Sequence, residues 1–357
     1  MPDNILLAHA RDACDTMLRR FRPEDLPPLK HFHYHQGVFL SGMHKTYQIT
    51  GDERYYDYIK DWIDSLIDPY GNITHFNPGQ LDDLQPGILL FPLYERTGDP
   101  RYKTAMDTIA YYLRHFAKNP DGGFWHKAWD RNQMWLDGLY MGGVFCAMYA
   151  RAFGASELMD SAAFQAMEME RRTRDESTGL WYHAYDYDRR QPWADRETGR
   201  SPEFWGRAMG WVTVALLDEL DCAPEDHPGR SGMVRAVTGL LRSVSRYQDG
   251  GSGLWYQVID KGGGPGNWLE SSCTCLFAAS LFKAARLGLL DAPYLDQARK
   301  AARGVASRLY HDDNGLVVDN ICVGTGVGDY NHYINRPTSR NDLHGVGAFL
   351  LMCAEAY

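Results

Sequence analysis

The sequence predicts an all-α protein, an (α/α)6 barrel of six inner and six outer helices that forms a single domain over residues 1–357. Helical periodicity dominates the chain, and helices that are apolar on nearly every face alternate with amphipathic ones. A helix that is apolar all round lies inside a protein, whereas an amphipathic helix covers such an interior. Weak internal repetition supports the same layout, because stacked helical hairpins repeat along a chain.

Six segments are apolar on nearly every face, and we predict them as the inner helices: residues 36–48, 84–93, 139–153, 208–220, 273–290 and 343–356. Amphipathic stretches alternate with these segments. In the stretch after Asp52, for example, Tyr55, Ile59 and Trp62 fall on one helical face with charged residues opposite. A second amphipathic stretch follows the helix-start signal Asp99–Pro100.

Two kinds of repeat join the predicted helices. Residues 47–55 (YQITGDERY) resemble residues 94–102 (YERTGDPRY), and each stretch ends an apolar helix and begins an amphipathic one. Turns in which a glycine precedes apolar or aromatic residues recur at Gly123, Gly179 and Gly253. Repeats of this kind are typical of stacked helical hairpins.

Composition and charge exclude several classes of protein. A net charge of −9 without a long run of Lys or Arg argues against nucleic acid and anionic membranes as partners. No stretch approaches the roughly 20 apolar residues that a membrane-spanning helix needs, and charges follow the first apolar patch too soon for a secretory signal. The seven cysteines are scattered, so they do not form a disulfide pattern. We therefore expect a cytoplasmic protein.

The sequence has no spacing typical of a metal or cofactor site. His126 and His183 are far apart in the chain, and no His-Glu-x-x-His sequence occurs. Residues 324–328 (GTGVG) do not have the dinucleotide-binding spacing, and no βαβ unit surrounds them. We expect neither a metal nor a cofactor.

Polar and aromatic residues gather where the inner helices begin. Parallel inner helices would open their N-terminal ends on one side of the barrel, and we expect the functional cleft there. The residues concerned are His33, Tyr34, His35, Asp82, Asp83, Trp135, Asp137, Trp205, Arg207, Glu270, Asp342 and His344.

Asp137 is the first candidate for chemistry, since it precedes a helix that is apolar all round. It either caps the helix or transfers protons, and burial would raise its pKa while the helix N-terminus would lower it. Asp82 and Asp83 precede another buried helix. Adjacent residues point apart, so we expect only one of them to face the cleft. Together with Asp137 it would form the carboxylate pair that glycosidic chemistry uses.

Arg207 lies between small residues, with Trp205 and Trp211 nearby. Arginine is the side chain best suited to a bidentate grip on a carboxylate, and the indole rings could stack on a sugar. An arginine paired to a core carboxylate would give the same pattern. His126 and His183 each follow a glycine–aromatic turn, a position in which histidines are more often structural than catalytic.

Four motifs resemble the unsaturated rhamnogalacturonyl hydrolases of glycoside hydrolase family 105: residues 81–87 (LDDLQPG), 133–141 (QMWLDGLYM), 205–211 (WGRAMGW) and 341–349 (NDLHGVGAF). The resemblance implies an (α/α)6 barrel. It also implies a short pectin fragment as the substrate, an unsaturated galacturonyl-rhamnose left by a lyase. The catalytic aspartate of the family falls on Asp137, and a second functional aspartate falls on Asp82, with Asp83 as the fallback.

The same resemblance places substrate-binding residues at several positions, to which Trp135 and His344 are added because they lie at the mouths of inner helices. The full set is Tyr34, His35, His126, Trp135, His183, Trp205, Arg207, Trp211 and His344. The implied reaction is hydration of an enol ether. Asp137 would protonate C4 and then deprotonate the water that attacks C5. We expect its apolar setting to keep it protonated beforehand.

Three other functions are compatible with the same residues. An unsaturated glucuronyl hydrolase acting on glycosaminoglycan, ulvan or other algal fragments would share the barrel and both aspartates. A sugar epimerase or an inverting glycosidase would act on saturated sugars. A non-catalytic, sugar-binding helical barrel would need no pair of carboxylates at the helix mouths.

Overall fold

The computed structural model describes residues 3–357 and is built mainly of α-helices. In chain order they are α1 (Asp3–Arg20), α2 (Tyr34–Thr50), α3 (Glu53–Asp64), α4 (Leu90–Thr97), α5 (Pro100–Arg114), α6 (Val144–Phe153), α7 (Ser156–Thr173), α8 (Gly206–Cys222), α9 (Arg230–Ser245), α10 (Ser271–Arg286), α11 (Ala292–Ala306), α12 (Tyr330–Ile334) and α13 (Leu343–Glu355). Met1 and Pro2, which belong to the predicted domain and to the segment considered as a secretory signal, lie outside the described residues.

The inner helices form a closed ring. Helix α2 packs on the segment that leads into α4, this segment packs on α6, α6 on α8, α8 on α10, α10 on α13, and α13 again on α2. Each of α3, α5, α7, α9 and α11 packs outside the inner helix that precedes it, and α1 packs on α13. The fold is therefore the (α/α)6 barrel that the sequence predicts.

The inner and outer helices differ in burial as their sequences require. Almost every residue of α8 and α10 is buried, whereas α3 buries one face that includes Tyr55, Ile59 and Trp62. The carboxylates of Asp52 and Asp99 cap α3 and α5 by accepting the backbone N–H of the residue two positions later. Local capping and patterning thus explain where these outer helices begin and which way they face.

Two inner segments begin with irregular turns at the end of the barrel where the site lies. Residues Leu81–Asp83 and Gln85–Leu89 form 3-10 turns before α4, and Leu139–Gly143 form a π-helical turn before α6. π-helical turns are rare and frequently occur at functional sites. This one begins two residues after Asp137.

Eight short strands were not predicted from the sequence. They form four antiparallel pairs: β1 (Gln133–Trp135) with β2 (Ala184–Asp186), β3 (Trp255–Tyr256) with β4 (Leu269–Glu270), β5 (Tyr310–Asp312) with β6 (Gly315–Val317), and β7 (Ile321–Cys322) with β8 (Thr338–Ser339). Each is two or three residues long, too short for an alternating pattern to be recognised. The β1–β2 pair matters for the site. Directly after β1, the backbone N–H of Leu136 donates to the carbonyl oxygen of His183, the residue that precedes β2.

The buried apolar side chains form one cluster that runs from Leu6 to Cys353. All seven cysteines are buried and free. Within residues 3–357, no helix is both long and apolar enough to cross a membrane.

Candidate active site

A cavity of about 280 Å³ opens at the N-terminal ends of the inner helices. Helices α2 and α8, the 3-10 turn before α4, strand β1, the π-helical turn before α6 and the loop after β7 all contribute to its wall. The lining residues are His33, Tyr34, His35, Gln80, Asp82, His126, Lys127, Trp135, Asp137, Met141, Trp205, Arg207, Gly324, Thr325 and Gly326. Eight of the twelve residues expected at the helix mouths therefore share this cavity, whereas Asp83, Glu270, Asp342 and His344 do not line it.

The two adjacent aspartates point apart. The carboxylate of Asp82 reaches the cavity, whereas that of Asp83 is fully buried behind it. Asp83 accepts hydrogen bonds from the ring nitrogens of His31 (3.0 Å) and His33 (2.7 Å), from the backbone N–H of Asn77 (2.9 Å) and from the side chain of Gln80 (2.7 Å). Asp83 thus holds neighbouring segments together, and Asp82 is the one that a substrate can reach.

Two basic side chains accompany Asp82. His126 Nε2 lies 3.4 Å from one carboxylate oxygen, and Lys127 Nζ lies 3.8 Å from the other. Burial by itself raises the pKa of the Asp82 carboxyl, but His126 and Lys127 outweigh burial and hold the pKa well below its usual range. Asp82 is therefore ionised throughout the physiological range.

Asp137 belongs to a buried hydrogen-bonded chain. Its Oδ2 lies 3.0 Å from Nε2 of His183, and Nδ1 of His183 lies 2.7 Å from the hydroxyl of Tyr333. His183 and Tyr333 are completely buried, whereas Asp137 is 8% exposed and lines the cavity. The chain connects the carboxyl at the cavity wall to a residue of α12 nearly 200 positions later in the sequence.

The protonation of Asp137 differs from the sequence-based expectation. Burial is the largest single influence and raises the pKa of this carboxyl, as expected, but His183 and His126 together lower it by more, so that the net pKa lies below the usual range. Burial also lowers the pKa of His183. In the free protein the pair therefore consists of a carboxylate and a neutral imidazole. The expectation that the apolar setting alone keeps Asp137 protonated is wrong.

Aromatic rings form the cavity walls beside the carboxylates. The rings of His126 and Trp135 stack with centroids 4.4 Å apart and an angle of 14° between their planes. Trp205 lines the opposite part of the cavity next to the His183 ring, and its indole N–H donates to Gln257 at 3.1 Å. Flat aromatic surfaces beside buried carboxylates are typical of sites that bind sugar rings.

Arg207 reaches the cavity but is already hydrogen bonded. Its guanidinium donates to the backbone carbonyls of Cys322 and Val323, the latter at 2.8 Å, and lies over the ring of Trp205. The structure does not pair Arg207 with a core aspartate, and its predicted grip on a substrate carboxylate stays a prediction. Arg207 anchors the loop after β7, which supplies Gly324, Thr325 and Gly326 to the wall.

Three residues predicted to bind substrate lie outside the cavity lining: His183, which lies behind Asp137, and also Trp211 and His344. Trp211 is one turn deeper in α8 and stacks on Tyr140 in the core, with ring centroids 5.0 Å apart. His344 is fully buried, with Nδ1 2.8 Å from Asp342 and Nε2 3.1 Å from the carbonyl oxygen of Cys322. Motif matching located Trp211 and His344 in the correct helices, but a helix turns its residues to different faces, and these side chains face away.

The remaining predicted residues lie at the site. Tyr34, His35, His126, Trp135, Trp205 and Arg207 line the cavity, and His183 lies directly behind Asp137. Their individual roles stay predictions.

Two groups of side chains have the composition of a metal site. His31, His33 and Asp83 form one group, and His35, Asp342 and His344 form the other; within each group the potential ligand atoms lie within 4.8 Å of one another. In both groups a carboxylate already contacts a histidine ring at 3.0 Å or less. In the first group, both histidine rings are hydrogen-bonded to the Asp83 carboxylate.

Sequence reasoning missed several residues of the site. Gln80, Lys127, Met141, Thr325 and Tyr333 were not singled out, although the first four line the cavity and the fifth contacts His183. Lys127 follows the candidate His126 directly, and its positive charge was an available signal. Tyr333 carried no comparable signal, because only the fold brings α12 next to β2.

Comparison with known proteins identifies the family. Residues 9–357 match the model of Glycosyl Hydrolase Family 88. The chain belongs to this family. It is also similar to the solved structure of a family 105 glycoside hydrolase from C. acetobutylicum ATCC 824, at 32% identity and a TM-score of 0.92, with 97% of this chain and 98% of that chain covered. The predicted relationship to family 105 is thereby confirmed, and the protein is a glycoside hydrolase.

Two further proteins are similar in sequence to this chain. Protein Atu3128 of Agrobacterium fabrum (strain C58 / ATCC 33970) is 33% identical over 231 residues, which cover 60% of this chain and 98% of that protein. The unsaturated rhamnogalacturonyl hydrolase YesR of Bacillus subtilis (strain 168) is 25% identical to this chain over 297 residues, which cover 82% of this chain and 79% of YesR.

Proposed function

We propose that this glycoside hydrolase releases 4,5-unsaturated galacturonic acid from the non-reducing end of rhamnogalacturonan oligosaccharides that lyases have produced. The observation that carries the proposal is the pair of buried carboxylates, Asp82 and Asp137, at one small cavity with aromatic walls. The similarity to YesR supports rhamnogalacturonan fragments as the substrate class. A cavity of about 280 Å³ suits one terminal sugar better than the interior of a polymer.

The two carboxylates suit different roles. Asp82 lies beside His126 and Lys127 and stays ionised, so it can stabilise the positive charge that develops on the sugar ring. Asp137 contacts the buried ring of His183 and pairs with no lysine or arginine among the described residues, so less positive charge opposes its protonation. We therefore assign the acid and base steps to Asp137.

In the proposed reaction, Asp137 gives its proton to C4 of the enol ether, and positive charge develops at C5 and the ring oxygen. Water then adds to C5 and returns a proton to the Asp137 carboxylate. The resulting hemiketal opens, and the aglycone sugar leaves. Because Asp137 is ionised in the free protein, it takes up its proton when substrate binds. A bound uronate carboxylate and the exclusion of water both raise the pKa of a neighbouring carboxyl.

The proposal is tested by incubating the purified enzyme with unsaturated galacturonyl-rhamnose and following the ultraviolet absorbance of the conjugated double bond. We expect the wild type to remove this absorbance. In Asp137→Asn the rate should fall by about 10²- to 10⁴-fold, the usual contribution of a general acid–base group. A thermal unfolding curve of the variant controls for loss of folding.

A panel of related sugars separates the alternatives. Turnover of unsaturated glucuronyl disaccharides alone would reject the galacturonyl substrate, while the proposed hydration mechanism would still hold. Turnover of saturated sugars alone would indicate an epimerase or an inverting glycosidase and reject the hydration mechanism. Binding of the oligosaccharides without any turnover would identify a sugar-binding protein.

A further inference from the structure

Tyr333 is fully buried, and its hydroxyl has two hydrogen-bond partners among the described residues. It lies 2.7 Å from Nδ1 of His183, and it accepts the backbone N–H of Gly328 at 3.3 Å. A buried hydroxyl needs an acceptor for its own proton as well as a donor for its lone pairs. Gly328 N–H can only donate. Among the residues that the structure describes, His183 Nδ1 is the acceptor hydrogen-bonded to this hydroxyl.

This geometry decides which ring nitrogen of His183 carries hydrogen. If the Tyr333 hydroxyl donates to Nδ1, then Nδ1 is unprotonated and the neutral ring carries its hydrogen on Nε2. That N–H points to Oδ2 of Asp137, 3.0 Å away. Oδ1 of Asp137 has no hydrogen-bond partner within residues 3–357 and belongs to a side chain that lines the cavity.

We infer that Tyr333 is a positioning residue for the acid–base step, because its hydroxyl holds His183 in the Nε2–H tautomer and thereby directs the catalytic proton of Asp137 to the oxygen that faces the cavity. With Oδ2 occupied by the Nε2–H of His183, an incoming proton goes to Oδ1, where a substrate can receive it. In the other tautomer Nε2 would be an acceptor, and a proton on Oδ2 would be held between Asp137 and His183, away from the substrate.

Tyr333 also contacts Trp205 of the cavity wall and the loop after β7. Its ring stacks on Trp205 with centroids 5.7 Å apart and an angle of 21°. Gly328, which donates to its hydroxyl, follows closely on Gly324, Thr325 and Gly326 of the cavity wall. The segment that lines the cavity therefore also carries the group that sets the tautomer.

Tyr333→Phe is a sharp test, since phenylalanine keeps the ring that stacks on Trp205 and removes only the hydroxyl. Tyr330→Phe is the matched control. Tyr330 lies in the same short helix and its hydroxyl donates to the carbonyl oxygen of Pro265 at 3.0 Å, but it does not contact His183. Thermal unfolding of both variants checks that each is folded.

The first readout uses the protein without substrate. Two-bond ¹H–¹⁵N spectra of ¹⁵N-histidine protein report the tautomer, and a His183→Asn variant assigns the His183 signals. We expect the Nε2–H tautomer in the wild type and in Tyr330→Phe at neutral pH, and a mixture of neutral tautomers in Tyr333→Phe. An Nδ1–H ring or an imidazolium in the wild type, or unchanged His183 signals in Tyr333→Phe, would overturn the inference.

The second readout rests on the proposed function. For turnover of the unsaturated disaccharide, Tyr333→Phe should lower kcat on the order of 10- to 100-fold, the usual effect of losing a group that orients another side chain, with KM nearly unchanged. Tyr330→Phe should keep wild-type values. If Tyr333 has only a structural role, Tyr333→Phe and Tyr330→Phe will show the same kcat and KM. If the wild type turns over no unsaturated sugar, the proposed function fails, and the spectra still decide the inference about Tyr333.

Discussion

The two carboxylates of the cavity are buried to the same extent but lie in different surroundings. Asp82 and Asp137 are each 8% exposed. His126 and Lys127 lie near Asp82, whereas Asp137 contacts the ring of His183. Burial raises the pKa of both carboxyls, so burial does not distinguish them. Their partners do, because Asp82 has a lysine beside it and Asp137 has none among the described residues.

This difference suggests how one small site separates the two roles. A carboxylate that stays negative stabilises developing positive charge, while a carboxyl with a more accessible proton serves as acid and then as base. In the proposed division of roles, the two residues are both aspartates and differ only in their partners: His126 and Lys127 lie against Asp82, and His183, hydrogen-bonded to Tyr333, lies against Asp137. The following predictions test that division.

The largest expected effect comes from exchanging each carboxylate for its amide. Asp137→Asn should lose turnover by about 10²- to 10⁴-fold, because no proton donor remains. Asp82→Asn should lose about 10²-fold, because the amide still hydrogen-bonds but no longer carries a charge. Turnover by both variants on the unsaturated disaccharide checks this order. A larger loss in Asp82→Asn than in Asp137→Asn would reverse the assigned roles.

A smaller effect is expected from Lys127→Met, which removes a positive charge from the Asp82 side of the cavity. The charge supports the ionised form of Asp82 and attracts an anionic substrate, so we expect kcat/KM to fall about tenfold, equivalent to about 1.4 kcal/mol. Lys118→Met is the matched control, since Lys118 lies over Phe124 outside the cavity lining. Equal kinetics for the two variants would contradict the importance of the cation at Lys127.

The lowered pKa of Asp82 also has a consequence for stability. A carboxyl whose pKa is lower in the folded state stabilises the fold fully above its unfolded pKa, about 3.9, and loses this contribution as pH falls below that value. Relative to Asp82→Asn, the wild type should therefore lose stability as the pH is lowered from about 7 to about 3. Urea unfolding of both proteins across this range measures the change. A difference in unfolding free energy that does not vary with pH would contradict it.

The smallest effect on activity is expected at Trp211, which the structure places in the core and not at the cavity. Trp211→Phe should reduce the free energy of unfolding by about 1–3 kcal/mol, since it leaves space beside Tyr140, and it should leave kcat and KM unchanged. Trp205→Phe changes the cavity wall and should raise KM. Chemical unfolding and steady-state kinetics of the two variants separate the effects. A raised KM in Trp211→Phe would restore it as a substrate-binding residue.

Much of the fold could be predicted because helical periodicity is a local property. The six apolar segments became the six inner helices, and caps such as Asp52 and Asp99 marked where outer helices begin. The short strands could not be predicted, since two or three residues carry no usable pattern. They nevertheless matter, because the β1–β2 pair brings His183 to Asp137.

The site could be predicted in its location but only partly in its geometry. Asp137 and Asp82 line the expected cavity, yet Trp211 and His344 face elsewhere, and the pKa of Asp137 is lowered where the local sequence suggested that it is raised. The rotation of a side chain about its helix axis depends on packing against the neighbouring helices. A pKa depends on which charged groups lie within a few ångströms, and sequence distance says little about that.

By itself, the sequence determined the helical class, the alternation of buried and exposed helices, and the presence of carboxylates where buried helices begin. These features depend on residues within one or two turns of each other. Only the tertiary structure decided which aspartate of the adjacent pair faces the cavity, which basic side chains accompany it, and that Tyr333 contacts His183, 150 residues before it in the chain. Such contacts arise when distant segments pack together, and their effect on proton affinity depends on distances that no local pattern encodes.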